Sequence, residues 1–206
     1  MQKSGLRTPE TQSCLVQGLD TMPMDQSSNS RFQALVVPEL RSAYSLARWI
    51  TGNPVDAEDV VQEALLRAYR YFAGYRGENG RAWLLRIVRN VAATWATSRG
   101  RLKLVSLDDD MAFDSDAQAE IAADGSTSSD PAEIAERASE LQRLRQAIAA
   151  LPPEQREVVV LRDVEGLAYR DIAAILDIPL GTMMSRLSRA RDDLEQRLRP
   201  LGGQPQ

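Results

Sequence analysis

Between residues 105 and 140 the chain carries 11 acidic side chains and 1 basic one, a net of −10, and that stretch divides everything else. Asp108, Asp109, Asp110, Asp114, Asp116, Glu120 and Asp124 lead into Gly125-Ser126-Thr127-Ser128-Ser129. High like charge at low hydrophobicity cannot offset the entropy of ordering such a run. The chain is therefore expected to fold in blocks on either side of a flexible acidic linker over 102–130. Its 206 residues leave room for two small domains.

Both flanks read as helices. Leu40, Ala43, Tyr44, Ala47 and Ile50 recur at spacings of three and four, and Gly52-Asn53-Pro54 closes that stretch. A second helix is expected from about Asp56 to Phe72. Its inner face is Ala57, Val60, Val61, Ala64, Leu65, Ala68, Tyr69 and Phe72, and Asp59, Gln62, Glu63, Arg67 and Arg70 lie opposite. A third runs from Arg81 towards Ser98, after a loop marked by Gly74, Gly77 and Gly80. Trp83 and Trp95 sit at core spacing within it, with Arg86, Arg89 and Asn90 among the apolar positions.

Beyond the spacer, Asp130-Pro131 with Glu133 reads as an N-cap and first turn, opening a helix with Ile134, Ala138, Leu141, Ile148 and Leu151 as its stripe. Leu151-Pro152-Pro153 breaks it, and a helix through Val158, Val159 and Leu161 follows, closing near Gly166. Then come a short helix from Tyr169 to Leu176, a turn at Asp177-Ile178-Pro179 and a longer arginine-bearing helix from about Thr182 to Leu198. Short helix, tight turn, long helix is the helix-turn-helix outline. The fold class expected is all-α: two small helical domains, 31–101 and 131–200, joined by the acidic linker, with tails at 1–30 (expected to be disordered) and 201–206.

The charge pattern points to a class of partner. Residues 31–104 hold 12 basic and 6 acidic side chains, and residues 141–206 hold 10 and 9. Within the latter, the segment from Gly181 to Arg191 contains Arg186, Arg189 and Arg191 and no acid. The net charge of −4 would argue against nucleic acid, but attraction to phosphate is screened beyond about 8–10 Å, so the local surface decides. Other chemistries are excluded. The chain has no histidine and one cysteine, Cys14, which removes His-based general-base catalysis, Ser-His-Asp and Cys-His nucleophiles, Cys/His zinc sites and an internal disulfide. No enzymatic activity and no cofactor or metal are expected. No apolar run approaches the ~20 residues of a membrane span, and residues 1–30 lack a signal-peptide core. A cytoplasmic protein without membrane insertion is the expectation.

Four segments in order go beyond pattern: Asp56-Ala-Glu-Asp-Val-Val-Gln-Glu63, Trp83-Leu-Leu-Arg-Ile-Val-Arg-Asn90, Leu151-Pro-Pro-Glu-Gln155, and Ile178-Pro-Leu-Gly-Thr-Met-Met-Ser-Arg-Leu-Ser-Arg-Ala-Arg191. Together they resemble the extracytoplasmic-function (ECF) class of bacterial sigma factors, over about residues 31–200. The resemblance implies a protein that binds core RNA polymerase at the β′ clamp and β flap and directs it to promoter DNA. The first domain would open and read the −10 element and the second would read the −35 element as duplex. It also implies control by an anti-sigma factor and a stress or envelope response.

Matched residue by residue, the resemblance places polymerase binding on Asp59, Gln62 and Glu63. It places −10 contacts on Arg86, Arg89, Asn90 and Thr94. The −35 contacts fall on Thr182, Met184, Ser185, Arg186, Arg189 and Arg191. Positions 182, 185, 186 and 189 share one helix face, suited to phosphate and to bidentate Arg–guanine contacts. Two positions depart from the common pattern. Met184 stands where relatives often have Lys or Arg, and Ala168 where they often have a capping Ser. A free-standing helix-turn-helix regulator is the alternative, and it would not need the segments at 56–63 and 83–90.

The linker's 29 residues would average about 30 Å end to end as a coil and reach about 100 Å when stretched. The two promoter elements lie roughly 70 Å apart. The domains are thus expected to pack or tumble close together when free and to separate on the polymerase.

Overall fold

The computed structural model describes residues 26–77, 79–98 and 131–199, and every regular element among them is helical. The first block holds α1 (Gln26–Val36), α2 (Leu40–Thr51), α3 (Pro54–Tyr71) and α4 (Gly80–Ser98). The second holds α5 (Pro131–Ala149), α6 (Pro153–Val159), α7 (Tyr169–Leu176) and α8 (Leu180–Leu198). The acidic linker expected over 102–130, residues 1–25 and the tail at 201–206 lie outside the described residues.

Helical structure begins at Gln26, five residues ahead of the expected domain start at 31. Phe32 supplies the reason. Its ring meets Tyr69 and Phe72 edge-on, each at 5.3 Å, so α1 docks on the end of α3 despite its polar sequence. Trp83 extends this cluster against Tyr75 and Phe72, at 4.7 and 6.2 Å. Trp83 and Trp95 both pack against the core, as their spacing predicts.

A 3-10 turn, Val37–Glu39, around Pro38 precedes α2, which starts at Leu40. Its buried face is rotated from the expected one. Ala43, Leu46 and Ala47 are fully buried, whereas Leu40 and Tyr44 are exposed. Packing on two sides, by α3 and α4 and by α6 of the second block, selects that arc.

Gly52 closes α2 in the left-handed conformation, φ 74°. Asn53 then caps α3, its Oδ1 accepting from the amides of Val55 (2.9 Å) and Asp56 (3.3 Å), with Pro54 in the first turn. Replacing Asn53 by Ala should destabilise the protein by about 1 kcal/mol. A urea midpoint that does not move would contradict that reading of the cap. Ala57, Val60, Ala64 and Ala68 of α3 meet Leu84, Leu85 and Val88 of α4 in the interior.

In the second block the stripe expected along α5 is half-buried at Ala138 and Leu141 and fully buried only towards its C-terminal end. Ile148 and Leu151 are buried, while Ile134 is 51% exposed. Helix α6 runs on into a single π turn, Val160–Val164, in which the Glu165 amide donates to the Val160 carbonyl at 2.9 Å. Gly166, φ 69°, turns the chain into α7. Asp177 ends α7 at φ 55°, and Pro179 leads into α8. Ala168 sits at the N-cap of α7 in extended backbone with no side-chain hydrogen bond. An Ala168→Ser substitution should therefore stabilise the protein by about 1 kcal/mol, readable as a raised denaturation midpoint.

The two blocks are packed together, as the linker-length estimate anticipates for the free protein. One continuous cluster of buried residues runs through both, from Val36 and Leu85 to Leu161, Ile172 and Met183. Helix α4 lies on α7, and α2 lies against α6. Arg156 is buried at this junction. Its guanidinium donates to the carbonyls of Ala149 and Leu151 (3.0 Å) at the end of α5, and to Trp49 of α2 at 3.5 Å. These are carbonyls that a helix end leaves without an internal partner. Among the described residues no helix is long and apolar enough to cross a membrane.

Candidate nucleic-acid interface

Helix α8 presents its face according to where its apolar residues go. Met183, Leu187 and Ala190 are buried against α6 and α7, which turns Ser185, Ser188 and Arg189 outward. Arg189 folds back along its own helix, its Nε donating to the Ser185 carbonyl at 3.2 Å, with a second nitrogen 3.4 Å from Ser185 Oγ. Ser185 in turn donates to the Thr182 carbonyl at 2.9 Å. Thr182 is half-buried at the edge of this face. Arg186 sits on the same side, paired with the exposed Glu154 at 2.7 Å. No side chain caps the N-terminus of α8, so its first amides remain available to an acceptor.

Two of the residues singled out in α8 stand apart from this group. Met184 is 49% exposed on the other flank. Arg191 reaches back to Asp163 in the π turn, at 2.6 Å, and that hydrogen bond and charge hold its guanidinium above the usual range. Ser188 was absent from the sequence-level set, although it lies three residues from Ser185 on the outward face. Helix phase alone could have found it.

On α4, Arg86, Asn90 and Thr94 follow one another at intervals of four residues and all face solvent. Thr94 donates to the Asn90 carbonyl at 2.9 Å, which leaves both Asn90 side-chain polar atoms outside that bond. Arg89 points elsewhere. Its guanidinium meets Glu157 of α6 at 3.3 Å, through two nitrogens on one carboxylate oxygen. Burial pushes the Glu157 carboxyl up and Glu154 adds to this, against the opposing pull of Arg89 and Arg186. The neighbouring Arg156 guanidinium is pulled down, again by burial, with the Glu157 charge opposing.

The sign of the Glu157 shift has a consequence. A carboxyl held above its unfolded value contributes stability that is full below the ordinary carboxylate range and is lost as pH rises through the raised value. A Glu157→Gln protein should thus lose less stability than the parent as pH rises from below the ordinary carboxylate range towards neutrality, in urea titrations at both ends of that range. A steeper loss would contradict the burial argument.

On α3, Asp59 and Gln62 are exposed, and Glu63 is held in an i,i+4 pair with Arg67 at 2.7 Å. Flanking them on the same outward arc are Val55 and Leu66, 65% and 55% exposed. The sequence reading did not single out these two apolar residues. Their phase, opposite Val60 and Ala64, was the available signal. The polar pair thus sits between two exposed apolar side chains.

Comparison with known proteins bears on the family and the fold. The model of the sigma-70 region 2 family matches residues 35–102, and that of sigma-70 region 4 matches residues 141–194. The ECF RNA polymerase sigma factor SigE of Mycolicibacterium smegmatis is 34% identical over 174 residues, which are 84% of this chain and 64% of that relative, so the match spans less than two thirds of its length. The ECF RNA polymerase sigma-E factor of Haemophilus influenzae is 37% identical over 158 residues, covering 76% of this chain and 80% of the relative. The Escherichia coli K12 sigma-E factor is 33% identical over 184 residues, covering 86% and 92%. Among solved structures, the sigma factor RpoE of Bartonella quintana, in complex with the anti-sigma factor NepR, superposes with a TM-score of 0.61 at 26% identity, covering 84% of this chain and 99% of that one. CnrH, in complex with the cytosolic domain of CnrY, shares the fold with a TM-score of 0.55 at 24% identity, covering 85% and 93%.

Proposed function

The chain belongs to the ECF class of the sigma-70 family, and from that premise we propose that it binds core RNA polymerase in the cytoplasm and directs promoter-specific initiation of transcription. It is not an enzyme. The observation that carries the reading is the outward face of α8, set by a left-handed turn at Asp177 and by the burial of Met183, Leu187 and Ala190. A helix anchored in this way can lie in a major groove. Arg186 and Arg189 then reach base edges or phosphates, Thr182 and Ser185 contact the backbone, and the uncapped first turn meets a phosphate. Met184 takes an apolar contact such as a thymine methyl, and Arg191 stays with Asp163.

The first block supplies the rest. Asp59, Gln62 and Glu63 dock on the β′ clamp, with Val55 and Leu66 as apolar anchors. Arg86, Asn90 and Thr94 form the surface that meets the unwound −10 strand, with Arg89 joining once its own pair is broken. Cations for the strand backbone and an amide for a base edge are the groups such reading requires. An anti-sigma factor is the expected regulator, since the similar sigma factor RpoE is found in complex with the anti-sigma factor NepR. A stress or envelope response is the proposed setting.

Copurification with core polymerase is the direct test. The full chain should comigrate with core enzyme in gel filtration. Replacing Asp59 and Gln62 together by Ala should weaken that association about tenfold, while leaving fold stability within about 0.5 kcal/mol. A chain that bound promoter duplex but never comigrated with the polymerase would instead be a free-standing regulator.

A further inference from the structure

The outward surface of α8 has two flanks, and the promoter contacts proposed above draw chiefly on one of them. Arg186 and Arg189 with Thr182 form the basic flank. Leu180 and Met184 form the other, both exposed and one helical turn apart. Scattered exposed apolar side chains are ordinary on a protein surface. These two are set apart by their place, side by side at the N-terminal end of the helix that carries the arginines. Gly181 lies between the two flanks, and nothing stands within 4 Å of where a Cβ there would be. One turn beyond Met184 is Ser188, also exposed. Arg191, on the same flank as Met184, is committed to Asp163 at 2.6 Å. The edge is thus an adaptable apolar side chain, backed by Leu180 and flanked by small residues.

We propose that this edge reads the C5-methyl group of a pyrimidine in the −35 element, whether thymine or 5-methylcytosine, so that methylation of a cytosine there tightens the promoter. The inference rests on the −35 role proposed for α8 and deepens it. A methionine has neither charge nor donor for a phosphate, so in a major groove its contact is with a base edge. Of the groups displayed there, the C5-methyl is the apolar one. The same methyl on the same ring carbon distinguishes 5-methylcytosine from cytosine. Thymine and cytosine differ at the neighbouring position, where one shows an O4 acceptor and the other an N4 donor. Met184 makes no strong hydrogen bond to either, and the Ser188 hydroxyl can accept or donate. The methyl is therefore the feature that this edge selects, whereas Arg186 and Arg189 carry donors suited to guanine. Burial of one methyl-sized group sets the effect at about fourfold in affinity.

The test uses holoenzyme assembled from core polymerase and the full chain, on a −35 element selected from a promoter library. Each thymine on either strand is replaced in turn by deoxyuridine, which removes the methyl and leaves pairing with adenine intact. At one thymine the replacement should weaken binding about fourfold. At that position cytosine and 5-methylcytosine are then compared opposite guanine, and the methylated duplex should bind about fourfold tighter. Met184→Ala should abolish both differences, and Met184→Leu should retain them. The inference is overturned if no thymine of the element is sensitive to loss of its methyl. It is equally overturned if 5-methylcytosine binds no tighter than cytosine, or if the methyl effect survives in Met184→Ala. Any of these failures leaves the −35 role standing where Arg186→Ala with Arg189→Ala still loses binding to the same duplex. A holoenzyme that held the element no tighter than a scrambled duplex would overturn the −35 role and this inference together.

Discussion

Replacing Arg186 and Arg189 together by alanine should weaken binding of the polymerase holoenzyme to a −35-containing duplex by about 3 kcal/mol, roughly 150-fold, with a far smaller loss on a scrambled −35 sequence. Each good Arg–base contact contributes about 1–3 kcal/mol of discrimination, and the two arginines lie on one face of α8. Neither has a competing role of comparable size in the fold. Arg189 hydrogen-bonds within its own helix, and Arg186 pairs with the exposed Glu154 while its charge also acts on the buried Glu157. The informative contrast is Arg191→Ala. That side chain is committed to Asp163, so its removal should change −35 affinity less than about threefold. An Arg191 effect as large as that of the double variant would mean that α8 meets DNA through a different face.

Arg156→Ala should be among the most destabilising single changes in the chain, at about 3–5 kcal/mol. The side chain has little exposure, and its guanidinium serves three carbonyls, those of Trp49, Ala149 and Leu151. Truncation leaves those acceptors without their donor in a place water does not readily reach. A total stability of about 5–15 kcal/mol makes such a loss a large fraction of the whole. Chemical denaturation followed by tryptophan fluorescence reads it, because Trp49 lies at the same junction. A loss below about 1 kcal/mol would mean that the buried guanidinium is replaceable by water.

Much of this was legible in the sequence, for identifiable reasons. The break at Gly52-Asn53-Pro54 between α2 and α3, the break at Pro152-Pro153 and the turn at Asp177 are local backbone chemistry, which needs no tertiary context. The buried face of α8 follows from helical phase. What escaped was long-range. Gln26–Val36 has no strong apolar period and is helical because one residue, Phe32, reaches the ring cluster at the end of α3. Leu40 and Tyr44 were expected inside because they keep phase with Ala43 and Ala47. A second partner on the other side of α2 selected Leu46 instead. The direction of each arginine was equally out of reach. Arg86 and Arg89 read alike in sequence, but one faces solvent and the other a carboxylate 68 residues away.

The central claim is that these two helical blocks turn a polymerase without promoter preference into one that starts at defined sites. Run-off transcription with purified core RNA polymerase, the full chain and a promoter library measures it directly. The account predicts discrete transcripts that appear only when the chain is added, from templates sharing a −10 and a −35 element, and that disappear with Arg186→Ala plus Arg189→Ala. Transcripts no different from those of core enzyme alone, over the whole library and with a chain shown to be folded, would contradict it.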